Sequence, residues 1–438
     1  MNDKESRFIL GAGMTGLGAA WPSGFPVFEA EQSPGGICSS YYVRPGSSER
    51  LHSAPDDGEA YRFEVGGGHW IFGGDPAALR FLRSLTPMKS YDRISSVYFR
   101  SKDLYVPYAL QNHLGYLGKE IASKALAEIA TAPKTRPAVM ADWLRESFGM
   151  TLTDLFFGPF HELYTAGLWT KVAPQDAYKS PVDLALAIRG AFDKTPPVGY
   201  NTTYLYPEHG LNAVAQKLAG RCDIRYGKRV ARIDVKKKEI SFEDGSGVKY
   251  QTVICTLPLT TTMSLAGVSV EYEPDPYTSV LVLNLGAVRG SKCPADHWIY
   301  NPDAVSKFHR VGFYSNVDPS FLPLSSRRGN DRVSIYVERA YPGGQKPSPQ
   351  EIGRYCAEVV RELQDWGFTG KAEVVDPTWI DVAYTYAWPG SKWRGAALKK
   401  LQECDILMVG RYAQWTFQGI SDSIRDGLFV GSTFLPGR

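Results

Sequence analysis

The string Phe8-Ile9-Leu10-Gly11-Ala12-Gly13-Met14-Thr15-Gly16-Leu17-Gly18 stands near the start of the chain and constrains its fold more than any other stretch. Arg7 to Leu10 reads as a buried parallel strand that breaks into GxGxxG, with Met14 to Trp21 continuing as a helix. The glycines have separate tasks: Gly11 allows a tight turn, Gly13 lets backbone approach a pyrophosphate, and Gly16 lets helix and strand pack closely. The helix N-terminus then offers N–H groups and a partial positive charge to phosphates. A second apolar run, Phe25 to Phe28, ends at Glu29. An acidic residue at that strand tip can accept hydrogen bonds from a ribose diol. GxGxxG alone is a weak signal, since a glycine-rich strand–turn–helix with a surface glutamate reads the same way. Glu29 in this position tips the balance towards a bound dinucleotide.

A chain of 438 residues can bury a large core and should form two or three domains. With 43% hydrophobic and 22% charged residues it has an ordinary globular composition. A net charge of +3 gives no argument for nucleic acid or an acidic membrane as partner. The six cysteines (Cys38, Cys222, Cys255, Cys293, Cys356, Cys404) lie far apart with no CxxC or Cys/His cluster, so no metal site or disulfide framework is expected. The opening MNDKESRF is charged and no apolar run reaches the length of a membrane span, which leads us to expect a soluble cytoplasmic protein.

Along the chain, residues 43–60 are polar and turn-rich and predict a mobile hairpin extension. Gly66-Gly67-Gly68-His69 beside an aromatic cluster suggests backbone lying against something flat, or else a plain flexible turn. Residues 92–107 alternate as a strand pair, and residues 118–192 turn helical, with Leu152, Leu155, Phe156 and Phe160 on one apolar face. Residues 225–233 read as one strand and 253–258 as a buried one; 270–400 are rich in alternating strands with a helix near 349–365. Another buried strand begins at Ile406 and a closing helix at Asp422. The expected fold is α/β. A Rossmann-type domain built from 1–90, 204–265 and 401–438 is interleaved with a helical substrate or lid domain (91–203) and a mixed β-sheet domain (266–400).

The string from Glu29 to Gly35-Gly36, ExxxxxGG, resembles the two-dinucleotide-binding-domain flavoproteins, the amine oxidases and their relatives, and makes FAD the expected cofactor ahead of NAD. Further along, EVGGGHWIF, VPYALQN, LYTAGLW, LYPEHGLNAVA, FHRVGFYSN and GRYAQW follow in order. Together with GAGMTGLGAA they resemble UDP-galactopyranose mutase, a flavoenzyme that interconverts pyranose and furanose forms of a sugar nucleotide. The resemblance spans residues 8 to about 432.

That resemblance implies roles residue by residue. Gly11, Gly13, Thr15, Gly16, Glu29, Gly35 and Gly36 would hold the FAD dinucleotide, with Gly410 and Ile420 from the last segment. Val230 would place backbone against the adenine. Gly67, Gly68 and His69 would lie along the isoalloxazine, and Arg411 near flavin and diphosphate. Phe72, Tyr108, Gln111 and Trp169 would line the nucleotide-base pocket, with Tyr164 and Thr165 opening the same segment. Arg310 and Tyr300 would bind the diphosphate, an arginine fork matching phosphate geometry. Trp388 and Phe417 complete the substrate set, and His69, Arg310 and Arg411 would serve the chemistry. Without the motifs, Trp169 and Phe72 would be core aromatics, Arg310 a surface ion pair and His69 a turn histidine.

The sequence also departs from the family. Asp183 falls where a lid arginine is expected to close on the diphosphate, with Lys179 and Arg189 as displaced alternatives. Phe417 replaces a tyrosine whose hydroxyl reaches the phosphates, and Trp388 stands near another expected tyrosine. The implied reaction is ring isomerisation of a non-standard sugar nucleotide, with N5 of reduced FAD attacking the anomeric carbon. NAD(P)H is an allowed external reductant, and a homo-oligomer is left open. The rival is an FAD-dependent oxidase or dehydrogenase acting on a small molecule, with a flavin-binding paralogue without catalysis as a third reading.

Overall fold

The computed structural model describes residues 6–133, 135–175, 182–193, 198 and 202–435. Arg7–Leu10 lies at the centre of a five-stranded sheet. It pairs in parallel with Val27–Phe28 on one side and Thr252–Cys255 on the other. Ile224–Arg225 and Ile406–Met408 complete the two edges, also in parallel. The sheet therefore draws strands from the start, the middle and the end of the chain. Its apolar runs are continuous because a parallel sheet is covered on both faces.

The first helix, Met14–Ser23, lies against the closing helix, Ile420–Ser432. Their backbones nearly touch. A Cβ on Gly427 would lie 2.2 Å from the Thr15 carbonyl oxygen, and one on Gly431 would lie 2.2 Å from that of Ala19. The closing helix begins at Ile420, two residues before the position read from sequence.

The single strand expected over 225–233 is two. Ile224–Arg225 is the edge of the parallel sheet, whereas Val230–Asp234 opens a three-stranded antiparallel meander with Glu239–Phe242 and Gly247–Lys249. Gly227, at φ +69°, makes the turn between them, and Lys228 N–H donates to the Glu29 carbonyl at 2.8 Å.

The second sheet has seven strands in the order Thr369–Thr385, Tyr277–Arg289, Arg332–Pro342, Arg310–Phe313, Trp298–Tyr300, Ser95–Phe99 and Leu104–Pro107. The strand pair read at 92–107 thus forms, and it belongs to this sheet rather than to the helices that follow it in sequence. Alternation along Arg332–Pro342 sends Val333, Ile335 and Val337 into a core beneath the helix Pro349–Asp365. Tyr336 and Glu338 face the other way, towards the Gly66–His69 turn.

The helices Lys119–Ala130, Met140–Leu152, Gly158–Tyr164 and Leu184–Phe192 gather around the Ser95–Pro107 edge of that sheet. The hairpin Ser40–Val43 and Tyr61–Glu64 carries the polar connection 44–60, which is fastened rather than loose. Arg50 makes a two-pronged bond to Asp376 at 2.8 and 2.9 Å and another to Thr378 at 2.7 Å. Gly46 N–H donates to the Glu373 carbonyl, and Glu59 accepts from both the backbone and the hydroxyl of Ser325. The sequence showed the polar loop but not the strand Thr369–Thr385 that it lies against.

Candidate active site

The opening glycines adopt the geometry their spacing requires. Gly11 sits at φ +94°, and a Cβ on Gly16 would lie 1.9 Å from the Gly11 carbonyl oxygen, so only glycine permits this helix–strand contact. A Cβ on Gly13 would meet nothing within 4 Å, which leaves open space at the N-terminus of the first helix. No side chain caps that terminus. Gly35 and Gly36 reach the same place: Gly35 N–H donates to the Ala12 carbonyl at 2.8 Å, and a Cβ on Gly36 would face Gly13 at 3.6 Å.

The Glu29 carboxylate accepts Ala12 N–H at 2.6 Å and Glu31 N–H at 2.9 Å. Burial raises its pKa, offset by those backbone bonds. Further lone pairs on both oxygens stay open to a diol. Val230 is half-buried next to this corner, joined to it through Lys228. A Cβ on Gly410 (φ +94°) would lie 2.4 Å from the Thr15 hydroxyl, and Ile420 begins the helix packed there. An open face at a helix N-terminus, backed by glycines and flanked by a buried carboxylate, fits the pyrophosphate and ribose of a dinucleotide.

At Gly66-Gly67-Gly68-His69 the flat neighbour is a protein side chain. A Cβ on Gly68 would lie 2.1 Å from the Tyr336 hydroxyl, and one on Gly67 would lie 2.8 Å from Glu338 Oε1. His69 folds back over Gly66, and burial, reinforced by the charge of Arg411, pushes its pKa down to about 4. It is therefore neutral at pH 7.

Beside this turn lies a cavity of about 220 Å³. Its wall is mostly aromatic. From the Arg310 end it runs through Tyr164, Phe160 and Phe156 to Phe157, neighbouring ring centroids being 5.6, 5.3 and 5.1 Å apart. Met140, Trp143 and Leu144 add an apolar patch. Arg93 and Arg310 line it, and among the described residues neither aspartate nor glutamate does. A narrow cleft shares Tyr164, Tyr384 and Phe417 with the cavity and leads to Arg411. The Arg411 guanidinium lies 4.7 Å over the Phe417 ring and donates to the carbonyls of Gln418 and Ala383.

Arg310 is not simply a cation facing the cavity. Its Nε donates to Glu338 Oε2 at 2.9 Å, and its Nη2 donates to both carboxylate oxygens at 2.5 and 2.6 Å. Burial would raise the Glu338 carboxyl, but the adjacent Arg310 charge outweighs it and holds the pKa at about 2.

Of the substrate residues read from sequence, Phe72, Tyr108, Tyr164, Thr165, Tyr300, Arg310 and Phe417 line the cavity. Gln111, Trp169 and Trp388 do not. Gln111 is buried in the turn Leu110–Asn112. The Trp169 indole N–H donates to Glu162 at 2.8 Å, with Arg145 over its ring, and the Trp388 indole N–H donates to the Pro274 carbonyl at 3.0 Å. Asp183 is exposed: it is the N-cap of Leu184–Phe192, accepting Leu186 N–H at 3.1 Å. Arg189 is exposed in the last turn of that helix, and Lys179 lies outside the described residues.

Sequence reasoning missed Arg93, His309 and Glu338. His309 stands inside a quoted motif, next to Arg310. Glu338 had a signal too, as a single acid in the apolar alternation of Arg332–Pro342.

A parallel sheet entered three times, a glycine turn built for a dinucleotide and a ring-lined cavity beside it define an FAD-type flavoprotein. Residues 25–284 match the pattern of the flavin containing amine oxidoreductases, and the chain belongs to that family. Its fold is similar to that of a reduced UDP-galactopyranose mutase (TM-score 0.81, 20% identity, covering 98% of this chain and 95% of that one). It is also similar to a putative protoporphyrinogen oxidase from Exiguobacterium sp. 255-15 (0.70, 13%, 98% of each). A CLA-producing fatty acid isomerase from P. acnes follows (0.61, 14%, 100% of each). Among the described residues no helix is long and apolar enough to cross a membrane, and no His/Cys/Asp/Glu group suits a metal ion.

Proposed function

We propose that this chain is a flavin-dependent sugar-ring isomerase acting on a sugar nucleotide. The observation that carries the reading is the charge pattern of the cavity: Arg93 and Arg310, the latter braced from behind by Glu338, in the wall, Arg411 at the end of the connecting cleft and, among the described residues, no acid in the lining. Such a wall attracts an anion that carries a ring, and it disfavours a cationic amine. Phe72, Tyr108 and Tyr300 give flat faces for a base or sugar. Arg310, fixed by Glu338, and Arg411, fixed by backbone carbonyls, give donors of set orientation to a diphosphate. Gly11, Gly13, Gly16, Glu29, Gly35 and Gly36 would hold the FAD dinucleotide, with Val230 near the adenine and Gly67 to His69 beside the ring system. When bound and reduced, FAD supplies a nucleophilic nitrogen and the electron pair for sugar-ring chemistry. Neutral His69 would leave the anionic charge of the ligand to the three arginines.

The apolar patch of Met140, Trp143 and Leu144, with Gln111 and Trp169 outside the lining, favours one alternative: an FAD-dependent oxidase of an anionic small molecule. One experiment separates them. Dithionite-reduced holoenzyme is incubated with UDP-galactopyranose, and the ring forms are resolved by chromatography while oxygen uptake is followed in a parallel oxidised sample. Furanose product without oxygen uptake supports the isomerase. Failure of UDP to bind in either redox state would exclude the sugar-nucleotide reading.

A further inference from the structure

Tyr384 stands where the cavity meets the cleft and lines both of them. It is the penultimate residue of Thr369–Thr385, the edge strand of the second sheet. Two groups hold it from opposite sides. Arg411, which follows the last strand of the first sheet, donates from Nη2 to the carbonyl of the preceding residue, Ala383, at 3.2 Å. Its guanidinium lies 5.6 Å from the centre of the Tyr384 ring. On the other side the ring packs at 4.7 Å on Tyr164, at the Arg310 end of the aromatic wall. Tyr384 therefore sits between the two arginines.

The side chain is half-buried, and its hydroxyl has no hydrogen-bond partner among the described residues. Unlike the enclosed hydroxyls of Tyr336 and Tyr355, it keeps accessible surface, so a ligand can reach it. Burial and then the charge of Glu338 raise its pKa against the opposing charges of Arg310 and Arg411. The phenol thus keeps its proton at pH 7 and lies within the field of both arginines. A neutral O–H donor in that place is suited to an anionic oxygen, where a charge-assisted bond adds direction to the attraction.

An anion seated on Arg310 alone need not meet this hydroxyl. Arg310 is fixed by Glu338 in the second sheet, and Arg411 by the carbonyls of Ala383 and Gln418. A ligand that engages both needs two anionic groups in succession, and its path from one arginine to the other passes Tyr384. We propose that the Tyr384 hydroxyl donates to the second phosphate of the ligand, on the Arg411 side, and so makes the site select a diphosphate over a monophosphate. This rests on the sugar-nucleotide reading of the cavity and adds to it a residue that sets the length of the phosphate chain.

The test is calorimetric titration of the FAD-loaded, dithionite-reduced enzyme, wild type and Tyr384→Phe, with UDP, UMP and inorganic pyrophosphate. The variant keeps the ring on Tyr164 and loses no hydrogen bond among the described residues, so the fold is retained. It should bind UDP at least tenfold more weakly than wild type, the loss of one hydrogen bond to a charged oxygen, and UMP within threefold. Equal losses for UDP and UMP, or no loss for UDP, overturn the proposal, while UDP binding by the wild type leaves the sugar-nucleotide reading standing. If the wild type binds no UDP, that reading fails, and the two proteins are compared on pyrophosphate. A tenfold gap there supports Tyr384 as the bridge between the arginines. Equal affinity, or no binding by either protein, overturns it.

Discussion

A methyl group on Gly16 would lie 1.9 Å from the carbonyl oxygen of Gly11, whereas one on Gly13, at φ −69°, would meet nothing within 4 Å. The two glycines of one motif therefore answer to different demands, and their alanine variants should separate. Gly16→Ala forces the first helix off the central strand, an overpacking cost of about 3 kcal/mol. Gly13→Ala should leave the cofactor-free protein within about 0.5 kcal/mol of wild type. It should instead weaken FAD binding at least tenfold, because the methyl fills the space a pyrophosphate needs. Thermal melts of apoprotein and FAD titration by fluorescence check both halves. Equal loss of stability in the two variants would refute this division.

That motif was legible because its whole logic lies within eleven residues, from Phe8 to Gly18. Arg310 was equally visible, but its partner was not. Glu338 faces it only through the antiparallel register of two strands, and register is a tertiary fact. The helical face of Leu152, Leu155, Phe156 and Phe160 was rightly read as apolar. Its period could not tell that Phe156 and Phe160 also line a cavity. Asp183 is the opposite case. An aspartate before the apolar run Leu184-Ala185-Leu186-Ala187-Ile188 is a local N-cap signal, and alignment to a lid arginine obscured it. The indole of Trp169 is turned away by Glu162, a preference that no spacing rule encodes.

Removing the Glu338 charge should destabilise the fold more than removing the pair. Glu338→Gln removes the charge partner of a half-buried guanidinium, at a cost of about 3 kcal/mol. Arg310→Met with Glu338→Leu replaces both charges by apolar groups and should recover most of that loss, at the expense of ligand binding. Urea denaturation of the three proteins measures it. A double variant less stable than Glu338→Gln would show that the ion pair stabilises beyond its own desolvation.

Acid should unfold the cofactor-free protein well before its carboxylates are exhausted. His69 and His297 are both held near a pKa of about 4, burial being the first cause in each. In the unfolded chain they titrate near 6.5. Between those values the unfolded state binds two protons that the native state refuses, so stability is full above about pH 7 and falls as the pH drops towards 4. The slope is at most about 2.7 kcal/mol per pH unit from the two groups together. Glu338, depressed to about 2 from an ordinary carboxylate value, adds a further loss only below about pH 4.5. His297→Gln keeps a side-chain amide near the Tyr204 hydroxyl, which lies 2.7 Å from Nδ1 in the wild type. It should lower the acid-side slope by up to about 1.4 kcal/mol per pH unit between pH 6 and 4.5, measured by denaturant midpoints across pH. An unchanged slope would mean that these two histidines do not carry the acid sensitivity.

Phe417 offers a gain-of-binding test. Its ring lines both the cavity and the cleft, and the Arg411 guanidinium sits 4.7 Å above it, so a hydroxyl added to that ring would enter the region assigned to the diphosphate. At 37% exposure, Phe417 has room for the added oxygen without overpacking a core. A hydrogen bond to a charged oxygen contributes about 1.5 kcal/mol at the low end, equivalent to roughly tenfold in affinity. Phe417→Tyr should therefore tighten UDP binding to the reduced holoenzyme by about that factor and leave uridine, which has no phosphate, unchanged. Calorimetric titration with the two ligands reads the difference. Equal gains for both would place the new contact on the nucleoside, and no gain for either would mean that the phosphates lie elsewhere than beside Arg411.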